Sequence, residues 1–319
     1  PSLLRFGAWI GGDRDGNPYV TPETTGQAVW LHAETILQEY IARVTGLNTM
    51  LTQSVLMVTP TAAFQEGLRR DGRFSQRAFR DQAERFTREP YRRKLYLMRY
   101  RLQQNFNTTQ RHLHGLAVGL HEAVYPSARE FLQDLYGLRD SLISHGDTNI
   151  AEGELQDLIR LAETFGFHLV HLDVRQESAR HTAAVAEILG LLPGKKNYLA
   201  MDEAQRVAHL AAIIGGDKDP TIDRARLTPE TRETLAVFDM MARLQRQVSS
   251  EAFGSYVISM THAASHIFEV MALARLARLT GRNGHGWFCD IRISPLFETI
   301  NDLAHIEEVG LVRQRQDVH

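Results

Sequence analysis

A change in periodicity at residues 167–175 constrains the fold of this chain more than any other feature. Before this segment the apolar residues recur at helical spacing, whereas here apolar and polar residues alternate as in a β-strand. The alternation defines two faces: Val170, Leu172 and Val174 on one, and His171, Asp173 and Arg175 on the other. Strands of open parallel sheets are covered on both faces and apolar on both. This pattern therefore favours a barrel strand whose C-terminal end leads into a site.

The run Trp9–Pro18 is a second constraint, because so dense a polar turn rarely serves packing. It holds three glycines, three charged residues, an asparagine and a proline, directly after the apolar stretch Phe6–Ile10. That stretch is interpreted as a short buried strand, and Thr21-Pro22-Glu23 predicts a helix start with Thr21 as its N-cap. Strand, glycine-rich loop and helix are typical of sites in α/β proteins, although a tight turn with a local Asp–Arg pair explains the run equally well.

The rest of the chain predicts helices interrupted by a few strands. Helices are expected over 22–51, 127–145, 151–165, 178–191, 235–247 and 264–279, and strands over 255–261 and 287–294. Residues 61–111 are expected to be helical, with a new helix at Pro90, and 193–234 to be loops with short helices. About four strands therefore alternate with helices, which predicts a predominantly helical α/β fold. We expect a partial TIM-type (β/α) barrel, with a helical insertion over 22–165 and the βα units of the barrel over 166–319.

Composition excludes several classes of protein. Of the 319 residues, 43% are hydrophobic and 23% charged, as in soluble globular proteins, and the net charge of −2 gives no global attraction to nucleic acid or membrane. No apolar run approaches the roughly 20 residues of a membrane-spanning helix. The chain has one cysteine, Cys289, so it cannot form an internal disulfide, and this fits a reducing compartment. Cys289 is interpreted as a small core residue. Because the first residue is Pro1, we expect the chain to be an excised piece of a longer protein.

One segment departs from this average by being strongly basic. Thirteen Lys or Arg residues lie from Arg69 to Arg111, against four acidic residues. Clustered arginine raises the hypothesis of nucleic-acid binding, but no nucleic-acid motif accompanies the charge. The segment is better explained as a solvated helix face, or as a site for a small phosphorylated effector.

Two strand ends carry candidate functional residues. Arg175 ends the alternating strand on its polar face, where a buried guanidinium needs an anionic partner: a phosphate or carboxylate ligand, or an internal ion pair with Asp173 or Glu177. Glu298 follows the last strand and could hold Mg²⁺ or Mn²⁺ with waters and a substrate oxygen, or simply favour a helix N-terminus. His262 and His266 share a helix face but lack a third zinc ligand at motif spacing, so a surface or capping role is favoured.

Five segments together resemble the phosphoenolpyruvate carboxylase family. They are Trp-Ile-Gly-Gly-Asp-Arg-Asp-Gly-Asn-Pro (9–18), Glu-Pro-Tyr-Arg (89–92), Leu-Asp-Val-Arg-Gln-Glu-Ser-Ala-Arg-His (172–181), Tyr-Val-Ile-Ser-Met (256–260) and Pro-Leu-Phe-Glu-Thr (295–299). The resemblance runs over the whole chain in order, and it implies the middle third of a subunit built on an eight-stranded α/β barrel among many helices.

The family joins bicarbonate to phosphoenolpyruvate with Mg²⁺ or Mn²⁺ and releases oxaloacetate and phosphate. The resemblance implies that Arg175 contacts the substrate phosphate as a catalytic residue, and that Glu298 is one of two carboxylate metal ligands. It implies that Trp9 lies near the bicarbonate and substrate pocket and that Arg92 belongs to an anionic-activator site. It also implies a cytoplasmic homotetramer that binds neither nucleic acid nor membrane.

Three family segments do not occur in this sequence: Thr-Ala-His-Pro-Thr-Glu, Gly-Tyr-Ser-Asp-Ser and Gly-Arg-Gly-Gly. The first would precede residue 1, and the others, which supply the second metal carboxylate and a phosphate clamp, would follow residue 319. We therefore expect the isolated chain to be inactive. The alternatives are a non-catalytic helical binding protein related to the carboxylase, and another barrel enzyme acting on phosphoenolpyruvate or pyruvate.

Overall fold

The computed structural model describes residues 4–119, 122–192, 194, 197–216, 221–284 and 286–300. The chain divides into two compact units. The helical unit comprises residues 1–6 and 29–170, and the sheet unit comprises 7–28 and 171–319. Helix α1, Pro22–Met50, begins in the sheet unit and continues in the helical unit.

The helical unit is an all-α assembly around one large apolar core. After α1 its helices are α2 Ala62–Asp71, α3 Ser75–Phe79, α4 Pro90–Leu113, α5 Ala128–Ser144, α6 Thr148–Glu152 and α7 Glu154–Phe165, with 3₁₀ turns at Gly72–Phe74 and Arg80–Gln82. Fully buried aromatic and aliphatic side chains from α1, α4, α5 and α7 form the core. These helices follow the predicted periodicities, since one apolar stripe on each helix must be covered.

Four charged side chains are buried together inside the helical unit. Lys94 on α4 lies 2.5 Å from Asp71 and 2.7 Å from Asp134. Arg101, about two turns further along the same face of α4, lies 3.3 Å from Asp71 and 3.6 Å from Asp134. The guanidinium of Arg101 also stacks on the ring of Tyr125, whose hydroxyl donates to Asp134 at 2.8 Å. Two cations and two carboxylates thus neutralise each other, so part of the basic segment serves the core rather than a solvated face.

The sheet unit is built on a parallel sheet of four strands among the described residues. The strands are β1 Gly7–Ala8, β2 His171–Glu177, β3 Phe253–Ser259 and β6 Arg292–Pro295, in the order β1-β2-β3-β6. A separate antiparallel pair joins β4 Thr280–Asn283 to β5 Gly286–Cys289. The helices are α8 Ser178–Leu191, α9 Glu203–Gly215, α10 Pro229–Gln247 and α11 Ser265–Leu276, with 3₁₀ turns at Tyr198–Ala200 and Arg224–Arg226.

The predominantly helical α/β class and the parallel strands are confirmed. Helix α8 has the predicted bounds, Ser178–Leu191, and Thr21 accepts a hydrogen bond from the Thr24 amide, as an N-cap does. The structure adds that Leu172, Val174 and Tyr256 are buried, and that the Tyr256 ring stacks on Phe238 of helix α10. No helix of the described residues is both long and apolar enough to cross a membrane.

The predicted extent and burial of the first strand and the predicted start of the second are wrong. The stretch 6–10 pairs only through Gly7 and Ala8, at an edge of the sheet, and Trp9 and Ile10 are 67% and 80% exposed rather than buried. Strand β2 begins at His171 rather than Phe167, because Leu169 has a φ of +62° and residues 167–170 form a turn. Phe167 and Leu169 pack into the helical core, which gives the turn a false strand-like alternation.

Errors of a second kind come from overlooked caps and turns. Residues 193–234 contain the full helix α9, whose N-cap Asp202 forms a capping box with Gln205, and α10 starts at Pro229 after the N-cap Thr228. The strand predicted over 287–294 is two strands in different sheets, split at Asp290–Ile291. Because β5 is a hairpin strand outside the parallel sheet, Cys289 is exposed and not a core residue.

Candidate active site

The C-terminal ends of the four parallel strands lie on one edge of the sheet, as parallel pairing requires. The loop 9–20 follows β1, Glu177 ends β2, Met260 follows β3 and Glu298 lies three residues after β6. Arg175 is in register with Val257 of β3, which is in register with Ser294 of β6. Residues distant in sequence therefore meet at this edge, where α/β barrels carry their functional residues.

The run Trp9–Pro18 is attached to β2 by its backbone. The Arg175 amide donates to the Gly12 carbonyl at 3.0 Å, and the Arg14 amide donates to the Arg175 carbonyl, also at 3.0 Å. Asp13 and Arg175 thereby form an isolated parallel β-bridge. A Cβ on Gly12 would lie 1.9 Å from the carbonyl oxygen of Asp173, so only glycine permits this approach. The run is therefore a docked loop and not a free turn.

Arg175 is the centre of an ion-pair network at this edge. Its Nη2 donates to Asp15 Oδ2 at 2.6 Å and to Glu298 Oε1 at 3.1 Å, and its Nε lies 3.9 Å from Asp13 Oδ1. Nε is buried without a hydrogen-bond partner among the described residues, although the side chain as a whole is 32% exposed. The guanidinium is held on one side and still has donor capacity for an anion.

The internal partners expected for Arg175 are wrong. Asp173, two residues earlier on the same strand face, accepts instead from the Ser255 amide at 2.7 Å. Within the described part of the chain, the ion-pair partners of Arg175 are Asp13, Asp15 and Glu298, and not Glu177. The local Asp–Arg pair considered for the polar run is also wrong, because Arg14 turns inward and donates to Thr25 Oγ1 at 2.8 Å. Asp15 pairs with an arginine 160 residues away.

Glu298 is fixed at both carboxylate oxygens. Oε1 accepts from Arg175, and Oε2 accepts from the Met260 amide at 3.0 Å. The segment before it is tied to β3, since the Leu296 amide donates to Ile258 and the Thr261 amide donates to Leu296. The Glu298 side chain is 30% exposed, so part of it is open to water. An oriented, accessible carboxylate suits Mg²⁺ or Mn²⁺, which proteins bind through one or two carboxylates with waters completing the shell.

Trp9 and Arg92 stand apart from the network. Trp9 begins the docked loop, and its carbonyl accepts from the amides of Gly12 and Asp13 while its ring is largely exposed. Arg92 belongs to the helical unit, on the first turn of α4. It donates to Glu89 at 2.9 Å and lies 4.3 Å above the Phe86 ring. The structure thus brings Arg175 and Glu298 into contact, with Trp9 at the start of the loop that is docked on Arg175.

Arg14 and a polar cavity beside it were missed by the sequence analysis. The Arg14 side chain is 6% exposed, and burial lowers its pKa, an effect opposed by Tyr256, Glu233 and Glu23. A cavity of about 330 Å³ beside Arg14 is lined by basic and acidic residues, including Arg14, Glu177, Arg180, Glu230 and Glu233. The only sequence signal was the density of charge in the run itself.

The histidine pair lies at the start of helix α11, which also carries a buried carboxyl group. His262 precedes the helix and only His266 lies in its first turn, so the prediction that the two share a helix face is wrong. His266 Nδ1 accepts from the His262 amide at 3.3 Å, so His266 acts locally on the chain before the helix, in line with a capping role. Glu269, which no sequence pattern indicated, accepts from the hydroxyls of Tyr198 and Thr182 at 2.7 and 2.8 Å. Burial raises the pKa of Glu269 to about 7, although both hydrogen bonds act to lower it.

Comparison with known sequences identifies the family of this chain. A family profile described as Phosphoenolpyruvate carboxylase matches residues 1–313. The chain belongs to the phosphoenolpyruvate carboxylase family. A phosphoenolpyruvate carboxylase of Roseiflexus castenholzii is 36% identical over 311 residues, which cover 97% of this chain and 33% of that protein. Those of Thermosynechococcus vestitus and Prochlorococcus marinus are 34% and 33% identical, covering 96% and 97% of this chain and 31% and 32% of the relatives.

Family membership confirms the resemblance of the five segments. The chain spans about a third of the length of the curated relatives it matches, as expected for the middle third of a subunit. The Arg175–Glu298 contact joins two of those segments, and Asp15 adds a third, the docked loop. Segments that looked separate in sequence are therefore parts of one polar edge in the sheet unit.

Proposed function

We propose that the protein to which this chain belongs carboxylates phosphoenolpyruvate with bicarbonate, giving oxaloacetate and phosphate. The observation that carries this proposal is the half-buried Arg175 beside Glu298 at the C-terminal edge of the parallel sheet. A guanidinium and a carboxylate that are both partly exposed supply what a phosphorylated substrate and its cation need. The names of the relatives support the same reaction. A partial (β/α) barrel is the proposed architecture, with further strands closing it.

Each residue has a distinct role in this proposal. Arg175 donates hydrogen bonds to the phosphate oxygens of the substrate and stabilises the charge that they carry as the phosphate moves to bicarbonate. Glu298 holds Mg²⁺ or Mn²⁺, which when bound supplies positive charge for the enolate oxygen. The docked loop keeps Arg175 in place, and Trp9, at its start, lies toward the substrate and bicarbonate. Arg92, in the helical unit, is proposed as part of an anionic-activator site.

The isolated chain is proposed to be inactive. It supplies one metal carboxylate in the family segments, Glu298, and it contains neither the histidine segment nor the Gly-Arg-Gly-Gly segment. Without those groups the cation lacks a second family carboxylate and the substrate phosphate lacks a second clamp. The homotetrameric state and the cytoplasmic location implied by the family stay predictions.

The test compares the isolated chain with the complete open reading frame that contains it. Oxaloacetate formation is followed by coupled reduction to malate, with and without phosphoenolpyruvate, bicarbonate and Mg²⁺. We expect activity that needs all three from the complete protein and none from residues 1–319. An inactive complete protein would overturn the proposed reaction, and an active isolated chain would overturn the proposed dependence on other segments.

A further inference from the structure

One nitrogen atom of Arg175 serves two carboxylates. Nη2 donates to Asp15 Oδ2 at 2.6 Å and to Glu298 Oε1 at 3.1 Å. These two contacts are not equivalent, because the Asp15 bond is markedly shorter. Short charge-assisted hydrogen bonds of this kind are the strong ones. Asp15 is therefore the principal anchor of the guanidinium, and Glu298 is the secondary one.

The backbone fixes Asp15 in front of Arg175. The Asp15 amide donates to the side chain of Asp13 at 3.1 Å, which closes a tight turn within the loop. On both sides of that turn the loop is tied to β2, through the Gly12 carbonyl and the Arg14 amide. The loop thus behaves as a rigid extension of the sheet edge, and the Asp15 carboxylate is pre-organised to receive Arg175.

The second contact competes with the proposed metal-binding role of Glu298. Oε2 already accepts from the Met260 amide and Oε1 from Arg175, so a cation bound through Oε1 would share that oxygen with the guanidinium. A guanidinium and a divalent cation on one carboxylate oxygen repel each other. When Glu298 holds a cation, Arg175 must be retained by another carboxylate.

We propose that Asp15 is a positioning residue, which holds Arg175 at the substrate phosphate and so releases Glu298 for the divalent cation. The inference rests on the proposed function for the identity of the phosphate and of the cation. Asp13 does not share the role, because its carboxylate lies 3.9 Å from Nε and accepts the Asp15 amide instead. The two aspartates therefore form a matched pair that differs in the contact under test.

The first experiment measures binding of Mn²⁺ alone to the complete protein, by electron paramagnetic resonance of the free ion. Asp15→Asn leaves Arg175 paired mainly with Glu298, so we expect Mn²⁺ affinity to fall about fivefold, the scale on which charged and neutral hydrogen bonds differ. Arg175→Gln frees Glu298, and affinity should rise. Asp13→Asn removes the same charge from the same loop but keeps an oxygen for the Asp15 amide, and it should stay within about twofold of wild type.

The second experiment measures steady-state kinetics of the same variants. Asp15→Asn should raise the KM for phosphoenolpyruvate about tenfold while kcat changes by a smaller factor, because binding of the phosphate depends on the position of Arg175. Asp15→Glu keeps the charge and should recover part of the lost affinity. Thermal unfolding of each variant shows that it is folded, so that a general loss of structure is not mistaken for loss of positioning.

The outcomes separate this inference from the proposed function. Equal effects of Asp15→Asn and Asp13→Asn, or wild-type Mn²⁺ affinity and KM in Asp15→Asn, would overturn the role of Asp15. A complete protein that binds Mn²⁺ with the expected order of variants but makes no oxaloacetate would support Asp15 and overturn the reaction. Opposite changes in Mn²⁺ affinity for Arg175→Gln and Asp15→Asn, with Asp13→Asn unchanged, would support the inference.

Discussion

Gly12 is the residue on which docking of the polar loop depends, and Gly12→Ala tests this directly. The added Cβ would lie 1.9 Å from the Asp173 carbonyl oxygen and 3.1 Å from its carbon, both of them strand backbone. Since these atoms cannot rotate away, the loop must retreat by about 1 Å or more, as contacts under 3.0 Å are essentially never seen. That retreat breaks the hydrogen bonds that the Arg175 amide donates to Gly12 and the Arg14 amide donates to Arg175.

The expected cost follows from those two bonds. A backbone hydrogen bond contributes about 1 kcal/mol net, and a buried partner left unsatisfied costs about 1–3 kcal/mol, so loop docking should weaken by about 2–4 kcal/mol. Hydrogen exchange followed by mass spectrometry on the complete protein reports this as faster exchange of the Arg14 and Arg175 amides, by roughly 30-fold to 1,000-fold. The KM for phosphoenolpyruvate should rise in parallel, because Asp15 retreats with the loop.

Gly16→Ala is the matched control. Gly16 lies in the same loop at a φ of +66°, but a Cβ there meets nothing within 4 Å. Alanine at Gly16 should therefore cost only about 1–2 kcal/mol of backbone strain and leave the amides of Arg14 and Arg175 protected. Wild-type exchange at Arg175 in Gly12→Ala, or equal exchange in the two variants, would refute the close-approach argument.

Two further predictions concern buried charges. Lys94→Met removes a buried cation that pairs with both Asp71 and Asp134, so the free energy of unfolding should fall by about 3–5 kcal/mol in chemical denaturation. The control Arg139→Met removes an ion pair to the exposed Asp140 and should lower the free energy of unfolding by less than about 1 kcal/mol. Equal losses in the two variants would contradict the reasoning. Glu269 has a folded-state pKa raised to about 7, so the folded protein retains a proton that the unfolded chain releases, and stability should fall as pH rises from about 4.5 to 7. Denaturation of wild type and Glu269→Gln at several pH values should show this slope, up to about 1 kcal/mol per pH unit, only in wild type; parallel profiles would count against a buried, protonated Glu269.

Much of the local structure could be predicted from the sequence. Helix α8 and the new helix at Pro90 were foreseen, because apolar stripes and the chemistry of helix ends act over a few residues. The same rules would have found α9 and the start of α10, had Asp202-Glu203-Ala204-Gln205 and Thr228-Pro229 been recognised as caps. The false strand start at Phe167 had another origin. Alternation cannot distinguish a strand from a turn whose side chains pack into a neighbouring core.

The sequence by itself determined the chemistry at the strand ends: Arg175 near the end of one strand, Glu298 after another, a glycine-rich acidic loop after the first, and the family to which these segments belong. It did not determine the partners. Arg175 pairs with Asp15 and Glu298, which are 160 and 123 residues away, and not with Asp173 or Glu177 on its own strand. Only the tertiary structure decides this, because a side chain's partners depend on strand order and register. Pairing of β2 with β1, and through β3 with β6, brings these carboxylates to one guanidinium.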